Sequence, residues 1–164
     1  MWTTYDSPIG RLTLVASEHG VTGLRLPNLP GDPLEPAEHD PAALAAVSGQ
    51  LDAYFAGELE AFDVALDLHG TPFQRAVWDQ LLQVPYGTTT TYGTLAAAVG
   101  GPRHVRAVGA AVGRTPVPII VPCHRVVGAD GSLTGYGGGL PRKRALLDLE
   151  AGRPTDAFAQ LALL

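Results

Sequence analysis

Residues 71–113 read TPFQRAVWDQLLQVPYGTTTTYGTLAAAVGGPRHVRAVGAAVG, and this stretch decides the fold. Thr71 can cap a helix, Pro72 suits its first position, and Gln74 completes a capping box. Phe73, Val77, Trp78, Leu81 and Leu82 recur at helical spacing and predict a buried stripe. Pro85, Tyr86 and Gly87 stop that helix. A second helix carries Tyr92, Leu95, Ala96 and Val99 on one face, and Gly100 and Gly101 break it. Pro102 opens a third helix, with Val105, Val108 and Val112 inward and Arg103, Arg106, Ala110 and Gly113 outward. Two short helices joined by a tight glycine turn predict a helix-turn-helix. The small outward residues let a backbone or a groove come close. They equally suit packing against another helix.

Toward the N-terminus, Thr3, Tyr5, Leu12, Leu14, Val21 and Leu24 lie in short alternating runs, with turns at residues 6–8 and 19–20. This predicts an antiparallel meander over residues 1–26. Residues 27–41 hold five prolines and several acids and read as a loop. Residues 42–56 place Leu44, Val47, Leu51, Tyr54 and Phe55 at helical spacing, and residues 61–68 alternate like a strand. Toward the C-terminus, Thr115 begins an extended linker through Pro118, and residues 119–121 form a buried strand-like run. PCHRVV follows at 122–127, then a glycine-rich loop over 128–139 around Tyr136, then a helix over 141–151 stopped by Gly152 and Pro154. The fold class is α+β: a small N-terminal antiparallel-sheet lobe, 1–70, then a mainly helical domain, 71–152, and a tail, 153–164.

The chain has 164 residues, 46% hydrophobic and 16% charged, which fits a globular core and not disorder. No apolar run reaches the roughly 18 residues of a membrane helix. The N-terminal residues lack the pattern of a secretory signal. A cytoplasmic protein and a monomer are expected. Ten arginines against one lysine, amid many Ala, Gly and Pro residues, hint at a GC-rich bacterial genome. One cysteine permits no internal disulfide and no multi-cysteine zinc site, and His19, His39, His69, His104 and His124 show no ligand spacing. No metal and no cofactor are expected. The net charge of −5 is uneven: residues 1–70 carry 2 basic and 11 acidic side chains, whereas residues 71–150 carry 8 basic and 4 acidic. Such asymmetry points to a polyanion-facing surface, and an ordinary solvated face gives the same count.

Cys123 sits among apolar neighbours, where a cysteine is commonly inert packing. Three other residues argue otherwise. His124 is adjacent, Arg125 is costly beside a buried run, and Glu150 lies in the last helical turn, where the dipole disfavours an anion. A Cys–His–carboxylate relay explains all three. An apolar setting keeps the thiol protonated, so it needs a base. On an extended strand, adjacent side chains point to opposite faces. Cys123 and His124 therefore require a turn, or a bridging water, to cooperate.

PVPIIVPCHRVV (116–127) closely resembles the active-site motif of the O6-alkylguanine-DNA alkyltransferases, also called methylated-DNA–protein-cysteine methyltransferases. The resemblance extends over FQRAVWDQLLQVPYGTTTTYGTLAAAVG (73–100), RAVGAAVGRTPVP (106–118) and GYGGGLPRKRALLDLE (135–150), roughly residues 70–152. It implies a ribonuclease-H-like sheet in the N-terminal lobe. It also implies repair of O6-alkylguanine by irreversible transfer of the alkyl group to Cys123 after nucleotide flipping, with O4-alkylthymine as a further substrate left open.

The implied roles fall on matching positions. Cys123 is the nucleophile, His124 its base through a bridging water, and Glu150 orients the histidine. Tyr92 rotates the nucleotide out and protonates the leaving guanine. Arg106 replaces the flipped base in the stack, and Arg103, Ala110 and Arg114 complete the DNA-facing set. Tyr136, Val112, Thr134, Gly137, Val126 and Lys143 shape the pocket, with the carbonyls of Cys123 and Val126 reading the guanine edge. The implied partner is double-stranded DNA, bound in the minor groove and mainly without sequence preference, so the protein associates with the nucleoid when bound. The absence of Asn or Gln on the third helix fits that mode.

One position departs from the family. An asparagine commonly acts as a hinge before the Pro-Val-Pro segment, and here that position is Thr115, which offers a single hydroxyl. A non-catalytic alkyl-lesion recognition protein is the alternative reading, and Cys123 with His124 and Glu150 argues against it. A cysteine hydrolase is a third, for which base-flipping residues have no use. A methyl group added to Cys123 is expected to crowd a packed site.

Overall fold

The computed structural model describes residues 1–27 and 38–153, together with Phe158 and Leu161. Three antiparallel strands form the expected meander: β1 (Trp2–Ser7), β2 (Gly10–Ala16) and β3 (Val21–Arg25). The register pairs Thr3 with Leu14, Tyr5 with Leu12 and Leu14 with Leu24, so Thr3, Leu12, Leu14 and Leu24 share one buried face. Helix α1 (Ala45–Phe55) buries Val47, Leu51 and Tyr54. A Tyr5 hydroxyl donating to Asp52 at 2.6 Å ties α1 to β1. Most of the proline-rich loop expected over 27–41 lies outside the described residues.

Residues 61–68 do not form the expected strand. Among the described residues, their only ladder contact is one parallel bridge, Val21 with Leu66, made by Val21 N–H to Ala65 O and Asp67 N–H to Val21 O, both 2.9 Å. The Gln50 side chain pairs with the backbone of Asp63. Its amide donates to Asp63 O at 2.9 Å and accepts from Asp63 N–H at 2.8 Å.

Helix α2 (Pro72–Leu82) begins on the capping box read from the sequence, with Thr71 accepting from Gln74 N–H and Gln74 accepting from Thr71 N–H. Helix α3 (Tyr92–Val99) follows a two-residue strand, β4 (Thr90–Thr91), and the Thr91 side chain caps it. Helix α4 (Val105–Gly113) starts from a tighter 3₁₀ turn, Pro102–His104, where one continuous helix was expected. Trp78 donates its indole N–H to Ala111 O at 2.9 Å and locks α2 to α4. Two apolar positions expected inside are exposed, Leu82 and Val105, while Ala111 fills the core beside Val108 and Val112.

The buried run 119–121 is a turn, not a strand. Pro118 bridges to Val121, and Ile119 adopts φ 74°. A β-branched residue there is a strained outlier, held by the packing around it. Strand β5 (Val126–Val127) then pairs parallel with β4, Thr90 with Val126 and Thr91 with Val127. This pairing fixes the start of α3 against the end of the cysteine segment. Helix α5 (Leu140–Glu150) ends one residue short of the expected bound, and Gly152 takes the left-handed conformation just past it. Beyond it, Phe158 packs edge-on against Phe55, with ring centroids 6.2 Å apart. Buried residues of both lobes form one contiguous core, from Ile9 to Leu146. Arg142 donates to Ile9 O at 2.7 Å, and Leu24 N–H to Pro116 O at 2.9 Å, across the same seam.

Candidate active site

Pro122 turns the chain at ψ 61°, and Cys123–Arg125 forms a single 3₁₀ turn. The turn removes the strand geometry that would have sent Cys123 and His124 to opposite faces. Cys123 is 6% exposed and lines a cavity of about 260 Å³. Tyr92 of α3, Val112 of α4, Thr115, Tyr136 and Gly137 line it too, and Leu26 reaches it from the N-terminal lobe. Burial pushes the Cys123 thiol up to about 11, against the opposing pull of the nearby Thr115 hydroxyl and the Lys143 charge. At that value on the order of one thiol in ten thousand is ionised at pH 7. Thr115 also donates its hydroxyl to Val112 O at 2.7 Å, closing the last turn of α4.

His124 is fully buried, with its Nε2 2.6 Å from Glu150 Oε2. Burial pushes the Glu150 carboxyl up, but hydrogen bonds and charge from His124 and Arg125 outweigh it and hold it at about 2. An ionised carboxylate only accepts, so His124 carries its proton on Nε2. Nδ1 is then the acceptor nitrogen. It is buried and has no partner among the described residues. Burial also pushes the imidazole below its usual 6.5, despite the Glu150 charge. The neutral, accepting form is the one present at neutral pH.

Glu150 has more partners than the sequence suggested. Arg125 Nε donates to Oε1 at 2.7 Å and Nη2 to Oε2 at 3.0 Å, a two-point fork. Arg125 Nη1 reaches Val84 O at 2.7 Å, and its guanidinium lies 5.7 Å from the centre of the Tyr86 ring. The Tyr54 hydroxyl donates to Glu150 Oε2 at 2.7 Å. These donors offset the unfavourable position of an anion at the C-terminal end of α5. Sequence reasoning noticed the cost of Arg125 without giving it a partner, and it read Tyr54 as core. Tyr54 and Glu150 are 96 positions apart, and no local pattern could have linked them.

Lys143 is fully buried without a carboxylate among its hydrogen-bond partners. Its ammonium donates to Val126 O, to Thr134 O at 2.7 Å and to Gly135 O at 3.4 Å. It thereby fastens the glycine-rich loop to β5, and it already occupies one side of the Val126 carbonyl expected to read guanine. Burial lowers its pKa, opposed by Cys123. The Tyr92 hydroxyl donates to Thr134 O at 3.3 Å, from the first position of α3. Tyr136 walls the cavity, and its hydroxyl is a second buried atom without a partner among the described residues.

Arg103, Arg106, Ala110 and Arg114 are all exposed. Among the described residues, none of these three arginines forms an ion pair. A Cβ built on Gly109 or Gly113 meets nothing within 4 Å. Among the described residues, no other helix packs against α4 at these two glycines. No described helix is long and apolar enough to cross a membrane. Among the described residues no three His, Cys, Asp or Glu side chains gather as a metal site would need.

Known proteins match this arrangement over nearly all of the chain. The family model for the 6-O-methylguanine DNA methyltransferase DNA binding domain matches residues 72–152. That for the ribonuclease-like domain of the same family matches residues 1–68. The methylated-DNA–protein-cysteine methyltransferase of Mycobacterium tuberculosis is 54% identical over 157 residues, covering 94% of this chain and 95% of its own. That of Methanosarcina acetivorans is 46% identical, covering 91% and 97%. The crystal structure of Mycobacterium tuberculosis OGT in complex with DNA superposes with a TM-score of 0.91 at 51% identity, over 98% of both chains. The chain belongs to the 6-O-methylguanine DNA methyltransferase family.

Proposed function

We propose that this chain repairs alkylated DNA by moving the alkyl group of O6-alkylguanine onto Cys123, once per molecule. The observation that carries this reading is the state of His124. Its Nε2 is committed to an ionised Glu150, and its Nδ1 is a buried, unpaired acceptor one residue from a protonated thiol. That is a base waiting for a proton. The relatives named methylated-DNA–protein-cysteine methyltransferase support the chemistry, and the DNA-bound relative supports DNA as partner.

In this reading the damaged nucleotide leaves the stack, because its O6 alkyl carbon is out of reach inside a duplex. The Cys123 proton passes to His124 Nδ1 through a water. The sulfur then attacks the alkyl carbon; the S–C bond forms as the C–O6 bond breaks. The electron pair stays on guanine, which takes a proton from Tyr92, itself reprotonated by solvent. His124 returns its proton to solvent, and Cys123 remains as a thioether. Arg106 fills the vacated stack, and Arg103, Ala110 and Arg114 meet the backbone on the minor-groove side, with little sequence preference. Tyr136, Val112 and Gly137 bound the alkyl pocket, the Thr134 carbonyl, which does not line the cavity, anchors Tyr92 and Lys143, Lys143 also holds the Val126 carbonyl, and Thr115 acts as hinge. The N-terminal lobe, 1–70, supports the domain 71–152 that binds DNA and reacts. The protein acts as a monomer in a bacterial cytoplasm, on the nucleoid.

Incubation with duplex DNA holding one O6-methylguanine tests this. The protein should gain one methyl group, on the peptide that contains Cys123. The transfer rate should stay level through neutral pH and fall only in acid, below the ordinary imidazole range, where His124 becomes charged. Tight binding with unchanged protein mass would move the chain to the non-catalytic, lesion-recognising class.

A further inference from the structure

Three donors converge on Glu150 Oε2: His124 Nε2 at 2.6 Å, Arg125 Nη2 at 3.0 Å and Tyr54 Oη at 2.7 Å. Two belong to the active-site turn. The third comes from α1, in the lobe that, among the described residues, lines the cavity only through Leu26. Tyr54 is fully buried, and its ring packs against Phe55, Phe62 and Tyr86 at centroid distances of 5.2, 5.3 and 6.3 Å. A phenylalanine would serve that packing equally well. The hydroxyl is what packing does not need, and burying one without a partner is costly.

The hydroxyl has two consequences at Glu150. A carboxylate turns freely about its last torsion, which has broad and shallow preferences. Arg125 holds both oxygens from one side, and Tyr54 adds a donor from another element. Each donor also draws charge from Oε2 and weakens its pull on the imidazole. We propose that Tyr54 is a positioning residue for alkyl transfer: its hydroxyl, supplied by the N-terminal lobe, sets the Glu150 carboxylate so that His124 keeps Nε2 protonated and Nδ1 ready for the Cys123 proton. This rests on the reading of Cys123 as acceptor and His124 as base. The other titratable or charged groups facing the pair are Arg125, Cys123, Lys143, Tyr86 and Tyr136. Tyr54→Phe leaves all of them in place.

The experiment compares full-length wild type and Tyr54→Phe in single-turnover methyl transfer from O6-methylguanine duplex across pH 5–8. Tyr54→Phe should slow transfer roughly 2- to 12-fold at neutral pH, the range expected for one hydrogen bond. Its acid limb should move to higher pH, because Glu150 then pulls harder on the imidazole. The ¹⁵N signals of His124 should titrate at correspondingly higher pH. A uniform slowing with an unmoved limb and unmoved imidazole titration would mean packing alone and would overturn the proposal. The same holds for wild-type rates at every pH. If Tyr54→Phe fails to fold, 3-fluorotyrosine at position 54 replaces it. That side chain keeps the shape and donates more strongly, so the limb should move to lower pH; an unmoved limb there also refutes the role. A wild type that transfers nothing would sink the Cys123 reading, whereas the imidazole titrations would still test the coupling of Tyr54 to His124.

Discussion

The side chains around Glu150 and those on the outer face of α4 both carry charge, under opposite rules. Around Glu150, Arg125 and His124 are buried, and the carboxylate accepts from His124, Tyr54 and both ends of the Arg125 fork. On α4 and the turn before it, Arg103, Arg106 and Arg114 stand in water without an ion pair among the described residues. Burying a charge is expensive unless partners surround it, and in return its geometry is fixed. Leaving a charge in water costs little and keeps it free for a phosphate. Chemistry requires the first arrangement and grip on a polyanion the second. Substitutions should therefore separate cleanly: those at Glu150 should cost stability and rate together, and those on α4 should cost grip or delivery alone.

The largest effect should come from Glu150→Ala. It strands Arg125 as a buried cation, a loss of ~3–5 kcal/mol. For a chain of this length that lowers Tm by roughly 2–4 °C per kcal/mol, readable by calorimetry. The pH dependence gives a second check. Glu150 is held at about 2 in the fold against an ordinary 4.5. Its depressed pKa therefore contributes stability that is fully present above pH 4.5 and lost as pH falls toward 2. Glu150→Ala should lose this acid sensitivity. A variant that melts with wild type at neutral pH would break the contrast between the two regions.

Arg106→Ala should sharpen it from the other side. Arg106 is exposed and unpaired among the described residues, so stability should change by no more than ~0.5 kcal/mol. If Arg106 fills the vacated stack, methyl transfer from duplex DNA should nonetheless fall by about tenfold, since flipping costs a few kcal/mol. Transfer from lesion in single-stranded DNA, already unstacked, should fall much less. Equal losses on both substrates would remove Arg106 from a flipping role.

Methylation of Cys123 probes the border between the two regimes. Crowding by a methyl group in a packed core costs ~1–3 kcal/mol. Cys123, however, lines a cavity of about 260 Å³ and is not enclosed on every side. The loss should therefore sit near ~1 kcal/mol, seen as a Tm a few degrees below that of the unreacted protein. A methylated protein that melts higher would mean that the cavity, not the thiol, limits stability.

Much of this division was legible in the sequence. The capping box at Thr71, the glycine break at Gly100 and the meander of the first 26 residues rest on local chemistry, and the fold follows them. Arg125 and Glu150 stood out because each was costly in its local setting, whereas Cys123 drew attention only through His124 beside it and the resemblance of residues 116–127 to a known motif. The misses are non-local. Residues 61–68 alternate like a strand, but Gln50, from α1, captures Asp63. Residues 119–121 look like a buried strand, but a turn forms, with the Ile119 backbone at φ 74°. Tyr54 sits at a core position of α1, and nothing in its helical spacing reveals a carboxylate 96 residues later. Periodicity tells which side of a helix is buried, not which polar atom waits inside.

Arg103→Ala should have the smallest effect and tests the exposed face in its simplest form. Arg103 lies in the 3₁₀ turn ahead of α4, exposed and unpaired among the described residues, with no apolar stripe to support. If it meets a phosphate, its removal subtracts one released counterion. The slope of log affinity against log salt should then become shallower by about 1. The loss should be nearly the same for lesion-bearing and undamaged duplex, because a phosphate contact carries no base information. Tm should not move, and the methyl-transfer rate at saturating DNA should match wild type. Titrations on both duplexes at several salt concentrations would separate the outcomes. An unchanged slope would take Arg103 off the DNA face. A loss confined to the damaged duplex would assign it to lesion recognition, and the separation between a paired, buried relay and an unpaired, open grip would then need a third category.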